Sequence, residues 1–280
     1  MNNDNNAAKK YNFFLKGTNG KAVLLIHGIT GTPSEMRFFG SEINKAGYSV
    51  YCNTLPRHCQ SLGELKRVTW QEIVECCRQD FRLLRKDYDT VFVAGLSMGA
   101  LVAIHLAYLY PEDVKGVIAL APTLSYDGWA VSKLKFLMDI LWLIPLIRNN
   151  MNIRETWPYG LKDESSREAI ERFYKFAKAG EFSKKTLLFG SPFFPMACLY
   201  QHQQFVKIVK GHLNNVKTPL LVIHSKEDDM VSIRNAEYVI EHIGSSDKRL
   251  VELVDSYHMI TIDKEKNKVV SESLEFLKRL

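Results

Sequence analysis

Ser97 lies in the pentapeptide Gly95-Leu96-Ser97-Met98-Gly99, directly after the apolar run Thr90-Val91-Phe92-Val93-Ala94 and directly before Ala100-Leu101-Val102-Ala103-Ile104-His105-Leu106. A Gly-x-Ser-x-Gly pattern set between a strand and a helix constrains the chain more than any other feature. A very sharp strand-to-helix turn presses the residues at ±2 against one another, so only hydrogen fits there, and the turn lifts the hydroxyl clear of the sheet. The pattern alone recurs by chance. Between an apolar strand and a helix it points to a nucleophilic serine in a serine hydrolase.

The surrounding elements extend that reading. Phe13 falls in a short strand at 11–16, and Ala22-Val23-Leu24-Leu25-Ile26 is a continuous apolar run suited to a strand buried on both faces. His27-Gly28-Ile29-Thr30-Gly31 follows as a loop, and Thr32-Pro33-Ser34-Glu35 reads as a capped helix start. Strands are predicted at 48–53, 90–94, 114–120, 219–223 and 249–254. Helices are predicted after Thr69-Trp70-Gln71-Glu72 (a second capping box), after Ser97, near 234–243 and at 265–280. Strands alternating with helices predict a mostly parallel, doubly wound sheet. Between Thr123 and Asn214 no clear buried strand appears, only an apolar helix near 132–144, a charged amphipathic helix near 165–179 and the aromatic stretch Phe193-Phe194-Pro195-Met196. The division that follows is a disordered tail over 1–10, an α/β core over 11–122 and 215–280, and a helical cap over 123–214.

The chain has 280 residues, enough for one large α/β domain with an insertion, and its formal charge of +6 is dispersed. No basic stripe with interleaved aromatics is present, which excludes a nucleic-acid-binding role. The five cysteines, Cys52, Cys59, Cys76, Cys77 and Cys198, have no disulfide-framework spacing and read as reduced thiols. The first ten residues are polar with no signal-peptide core, and the most apolar window, 136–147, contains Asp139 and Pro145 and is too short to span a bilayer. A cytoplasmic protein is expected. Membrane contact through the cap is a minor reading, resting on Lys133, Lys135 and Arg148 beside apolar residues. Nothing in the sequence sets an oligomeric state.

A serine hydroxyl needs a base, and the base needs a group that orients it. In a doubly wound sheet all three belong on loops at the carboxyl ends of strands. His258 follows the last strand in Asp255-Ser256-Tyr257-His258. The acidic turn Glu227-Asp228-Asp229 follows the strand at 219–223, and Asp255 is a further acid nearby. The oxyanion needs preorganised donors. The N–H of Met98, at a helix N-terminus, and that of Ile29, in the loop after the earlier strand, are the expected pair.

The stretches Leu24 to Pro33, Gly95 to Gly99, His224 to Val231 and Ser256-Tyr257-His258-Met259-Ile260-Thr261-Ile262-Asp263 resemble the bacterial carboxylesterase and monoacylglycerol lipase branch of the α/β-hydrolase superfamily. The similarity runs from Phe13 nearly to the end and is weakest in the insertion. It implies Ser97 as nucleophile, Asp228 as acid, His258 as base, and Ile29 and Met98 as oxyanion donors. The insertion becomes a lid that shapes an acyl pocket, with Trp129, Phe136, Ile140 and Trp142 as candidate lining residues. One departure is Arg57-His58-Cys59, where relatives usually have Gly-His-Gly. Losing two glycines predicts a loop that no longer takes up positive φ. A metal site on Cys52, His58 and Cys59 matches no established zinc spacing. The activity implied is hydrolysis of a small-molecule carboxylic ester with an apolar acyl group through an acyl-enzyme, without cofactor or metal. A monoacylglycerol lipase or acyl thioesterase shares all these parts. The reading of another class, a catalytically silent ligand-binding protein, leaves an intact triad without a purpose.

Overall fold

The computed structural model describes residues 11–131, 140–176 and 190–280. A seven-stranded sheet runs in the order β1-β3-β2-β4-β5-β8-β9. Its members are β1 (Phe13–Leu15), β2 (Lys21–Ile26), β3 (Ser49–Cys52), β4 (Thr90–Leu96), β5 (Val114–Leu120), β8 (Leu220–Ser225) and β9 (Lys248–Leu253). All neighbours are parallel except β1, which pairs antiparallel with β3. Alternate residues of β2 go to opposite faces: Ala22, Leu24 and Ile26 join one apolar cluster, Val23 and Leu25 the other. That is why its sequence is a continuous apolar run. On one face lie α3 (Trp70–Asp87), α4 (Met98–Leu109) and α8 (Arg234–His242). On the other lie α1 (Arg37–Lys45) and α9 (Lys266–Arg279).

The register decides where the loops emerge. Ile26 is opposite Gly95, Leu96 opposite Leu120, Leu120 opposite Ile223, and Ser225 opposite Leu253. The carboxyl ends of β2, β4, β5, β8 and β9 therefore fall in one row. Chain order reverses at β2, with β3 on one side and β4 on the other, so the crevice between the loops after β2 and β4 is the switch point where doubly wound sheets bind ligands.

Three differences from the sequence reading stand out. The stretch between β5 and β8 contains two short strands, β6 (Asn152–Arg154) and β7 (Phe193–Pro195), paired antiparallel. Three residues are too few to show a period-2 pattern. The same stretch ends in α7 (Met196–Lys210), whose Phe205, Val206 and Val209 belong to the main core, with Phe205 stacked 5.6 Å from Trp70. The end of the expected cap is thus built into the core. The loop at Arg57-His58-Cys59 keeps positive φ without glycine, 63° at Arg57 and 57° at Cys59. Arg57 offsets this by bonding Glu72 (2.9 Å) and Glu64 (2.7 Å). The capping box at Thr69 and Glu72 forms as expected, while the expected tail and most of the helix near 132–144 lie outside the described residues.

The serine turn is wedged. Ser97 has φ 58° and ψ −116°, and its N–H donates to Leu120 O at 2.8 Å. A Cβ on Gly95 would stand 2.1 Å from Gly99 O, and one on Gly99 would stand 2.3 Å from Ile26 O. Both obstacles are backbone, which cannot swing aside. Gly95→Ala is therefore expected to destabilise the fold by about 3 kcal/mol, the upper range for overpacking. Gly63→Ala, whose Cβ meets nothing nearer than Ser61 Oγ at 3.7 Å, should be close to neutral. Thermal melts of the two variants beside wild type check this.

Candidate active site

The sheet register brings Ser97, Asp228 and His258 to one crevice. The His258 ring is buried, and its Nδ1 lies 2.8 Å from Asp228 Oδ2. His258 and Ser97 face a common cavity of about 50 Å³. Asp228 is held from four directions: Oδ1 accepts the N–H groups of Met230 (2.9 Å) and Val231 (2.8 Å), while Oδ2 faces His258 and, at 3.3 Å, His224. Burial opposes charge on Asp228, yet the charges of and hydrogen bonds from these imidazoles hold its carboxyl well below the usual carboxylate range. Burial likewise opposes a charged His258. The Asp228 charge and hydrogen bond, then Asp229 and Glu35, outweigh it and push the imidazole above its ordinary value. Among the four acids left open by the residues alone, the one that meets His258 is Asp228. Asp229 supports the neighbouring backbone instead, accepting from Gly160 N–H (3.1 Å) and from His258 N–H (3.4 Å). Burial and the adjacent Asp228 charge raise Asp229 to about 6. Glu227 pairs with Lys162, and so does Asp255.

The loop after β2 is fixed from several sides. Its Gly28 N–H donates to Glu35 Oε1 at 2.5 Å, its Thr30 N–H to His58 Nε2 at 3.2 Å, and its Thr30 carbonyl accepts Ser191 N–H at 3.0 Å. His27 Nε2 accepts Leu55 N–H at 3.0 Å, and its ring meets His58 edge-on. Burial keeps His58 neutral by lowering it to about 4. Held this way, Ile29 presents an N–H that has no acceptor among the described residues, and the same is true of Met98 at the start of α4. Two unpaired donors beside a serine on a strained turn are what a developing oxyanion requires.

Several residues of the crevice carry no signature in the sequence. Glu35 starts as the third residue of a predicted capping box, and Thr32 does accept Ser34 N–H (3.2 Å). The Glu35 carboxyl reaches further back, to Gly28. Glu155, on the far wall, accepts from Tyr174 Oη–H at 3.0 Å. Burial lifts both glutamates to about 7. Of the four expected lining residues, Trp129 is 55% exposed, donating its indole N–H to Glu227 O at 2.9 Å and packing against Tyr257, and Ile140 is 58% exposed. Neither they nor the half-buried Trp142 belong to the cavity wall, and Phe136 lies outside the described residues. Three of the four fall in the apolar helix expected near 132–144, and nothing in its composition says which side turns to the crevice.

A family model described as "Serine aminopeptidase, S33" matches residues 17–265. The thermostable monoacylglycerol lipase of Bacillus sp. (strain H-257) is 29% identical over 255 residues, 91% of this chain and 89% of that protein. The carboxylesterase of Bacillus subtilis (strain 168) is 25% identical over 269 residues, 96% of each. Among solved structures, one reported for LipS and LipT, two metagenome-derived lipolytic enzymes, is similar with a TM-score of 0.79 at 25% identity, covering 98% of both chains.

The raised glutamates have a consequence for stability. A carboxyl whose folded value lies near 7 instead of 4.5 binds its proton more tightly in the folded state, so its contribution is complete below about pH 4.5 and is lost as pH rises through about 7. Glu35→Gln removes that loss and keeps an acceptor for Gly28 N–H. It is expected to gain roughly 1–3 kcal/mol over wild type at pH 8 and nothing at pH 4.5. Thermal melts at the two pH values measure the difference.

Proposed function

The chain belongs to the serine aminopeptidase S33 family, and on that premise we propose that it hydrolyses carboxylic esters through an acyl-enzyme on Ser97. The fold is that of the α/β-hydrolases, and the similar proteins are named as a monoacylglycerol lipase and a carboxylesterase. The observation that carries the proposal is the alignment of a buried Asp228 2.8 Å from His258 Nδ1, with that imidazole and the strained Ser97 facing one cavity.

In this reading Asp228 accepts the Nδ1 proton of His258, which leaves Nε2 as the basic nitrogen. His258 takes the Ser97 proton as Oγ attacks the ester carbonyl. The negative charge on the carbonyl oxygen is met by the N–H groups of Ile29 and Met98, helped by the positive end of α4. His258 then protonates the leaving alcohol, and the acyl group stays on Ser97. Water, deprotonated by His258, attacks the acyl-enzyme, and the acid departs as His258 returns the proton to Oγ. We place residues 123–214 as a cap over this site up to the helix Met196–Lys210, which packs in the core. The free cysteines fit a reducing, cytoplasmic setting. No described helix is long and apolar enough to cross a membrane.

Two expectations follow. Against p-nitrophenyl esters from acetyl to palmitoyl, Ser97→Ala should lose at least about 10³-fold in turnover and Asp228→Asn a similar factor. Full-rate hydrolysis by Ser97→Ala would end the proposal. An inert wild type that is nevertheless labelled at Ser97 by a fluorophosphonate would shift it to an acyl thioesterase, and an unlabelled one to a silent binding protein. Because His258 must be neutral to act as base and its value is raised, the acid limb of kcat/KM should lie above 6.5, the ordinary imidazole value. A pH profile reads this directly.

A further inference from the structure

The loop that follows β5 reaches back beneath Ser97. Thr123, fully buried, sets its Oγ1 2.9 Å from Ser97 Oγ and 3.2 Å from the Ala121 carbonyl. Counting protons orients both hydroxyls. Each has one proton to give, and a carbonyl oxygen has none. Both contacts are satisfied together only when the Thr123 proton goes to Ala121 O and the Ser97 proton goes to Thr123 Oγ1. In that arrangement the Ser97 proton points at Thr123, and among the described residues Ser97 makes no hydrogen bond to His258.

The acceptor is rigidly placed. A β-branched side chain has few rotamers, and a fully buried one has no space to explore them. The backbone beneath is pinned as well. Ala121 has φ 44° with its N–H bonded to Ile223 O at 2.8 Å, and the N–H groups of Leu124 and Ser125 both donate to Asn235 Oδ1, at 2.9 and 2.7 Å. Ser97, by contrast, carries its hydroxyl on a single rotatable bond facing a cavity.

We propose that Thr123 is a positioning residue that latches the Ser97 hydroxyl away from His258 in the free enzyme, and that acylation starts with release of this latch. The inference rests on the reading of Ser97 as nucleophile. Rotation about the Ser97 Cα–Cβ bond breaks the Oγ–H···Oγ1 bond to Thr123 and forms Oγ–H···Nε2 to His258. The Oγ–carbon bond then forms as the proton passes to Nε2 and the carbonyl π pair moves onto oxygen. Thr123 keeps its own proton on Ala121 O throughout. Once Ser97 is acylated its Oγ has no proton to donate, so the latch acts on acylation and not on hydrolysis of the acyl-enzyme.

Thr123→Val keeps the shape and removes the acceptor, while Thr123→Ser keeps the acceptor and removes the methyl. The rates of labelling by a fluorophosphonate and of the single-turnover release of p-nitrophenolate from p-nitrophenyl butyrate are expected to rise roughly fivefold in Thr123→Val, the worth of one neutral hydrogen bond. Hydrolysis of the preformed acyl-enzyme should not change, and Thr123→Ser should track wild type. A Thr123→Val no faster than wild type overturns the latch, as does a Thr123→Ser equally accelerated. A labelled wild type with an unaccelerated valine variant overturns the latch alone, whereas an unlabelled wild type removes the nucleophile reading and the latch with it. Should the valine variant fail to fold, a crystal structure of the free wild-type enzyme decides: Ser97 Oγ bonded to Thr123 upholds the latch, and Oγ bonded to His258 Nε2 overturns it.

Discussion

The contact between the serine turn and the end of β2 has no slack. Gly99 lies so close to Ile26 O, and Gly95 to Gly99 O, that hydrogen is the largest substituent either can carry. The turn bearing Ser97 is therefore seated on the strand whose next residues, His27 to Gly31, present the Ile29 N–H. Ser97 and the Ile29 N–H share one rigid junction, and neither can shift without the other. The helix behind the turn, Met98–Leu109, is buried from Met98 through Ala107 on every face, so no compliance enters from that side. Electrostatic stabilisation of this kind depends on donors that are already in place when charge develops. The steric constraint at 95–99 supplies that placement.

Around this junction four buried carboxyls stand in different electrostatic states, and their donors explain why. Asp228 receives two backbone N–H groups and faces two imidazoles, which outweighs burial and keeps it ionised. Asp229 has one N–H at 3.1 Å and another at 3.4 Å beside the charge of Asp228, Glu35 has backbone donors at Gly28 and Thr32 but no cation bonded to it, and Glu155 has a tyrosine hydroxyl. For these three burial prevails and the value rises. Near neutral pH the crevice thus holds one firmly ionised carboxylate, and it is the one bound to the imidazole. The other three are raised, Asp229 to about 6 and the two glutamates to about 7, so none of them is held in the charged form as firmly as Asp228. Environments that push the values of neighbouring acids apart are what separates one acid's role from another's.

The pattern of legible and illegible residues follows from this physics. β2, β4, β5 and β8 are short, apolar and bounded by glycine, proline or polar loops, so they could be read directly, and so could Ser97 and the capping box at Thr69. The sheet's parallel register then put His258 and Asp228 where the strand ends required. What could not be read are groups whose chemistry comes from burial across long separations. Nothing near Glu155 announces that Tyr174 will cover it, and nothing in Thr123 announces that its loop folds back under residue 97. The apolar residues of the insertion show the opposite failure. Trp129, Ile140 and Trp142 are apolar enough to suggest a pocket lining, and the structure leaves two of them largely exposed and all three off the cavity wall.

The Arg57-His58-Cys59 loop shows how a conformation that glycine adopts freely can be held without it. Left-handed backbone costs an ordinary residue roughly 1–2 kcal/mol, and this loop incurs that cost at Arg57 and again at Cys59. An exposed ion pair would not offset it. The Arg57 guanidinium, however, is partly buried and engages two carboxylates at once, Glu64 and the Glu72 that also caps Thr69. The loop is thereby fastened to the start of the helix Trp70–Asp87. What the strain secures is His58, whose neutral ring takes the Thr30 N–H at one nitrogen and meets the Pro56 carbonyl at the other. His58 lies between the two strained residues, so its side chain would swing away if the backbone relaxed, and Thr30 would lose the acceptor that holds its N–H. The strain at 57 and 59 is thus part of the same rigid frame as the glycines at 95 and 99. In one place the frame excludes side chains, and in the other it is braced by them.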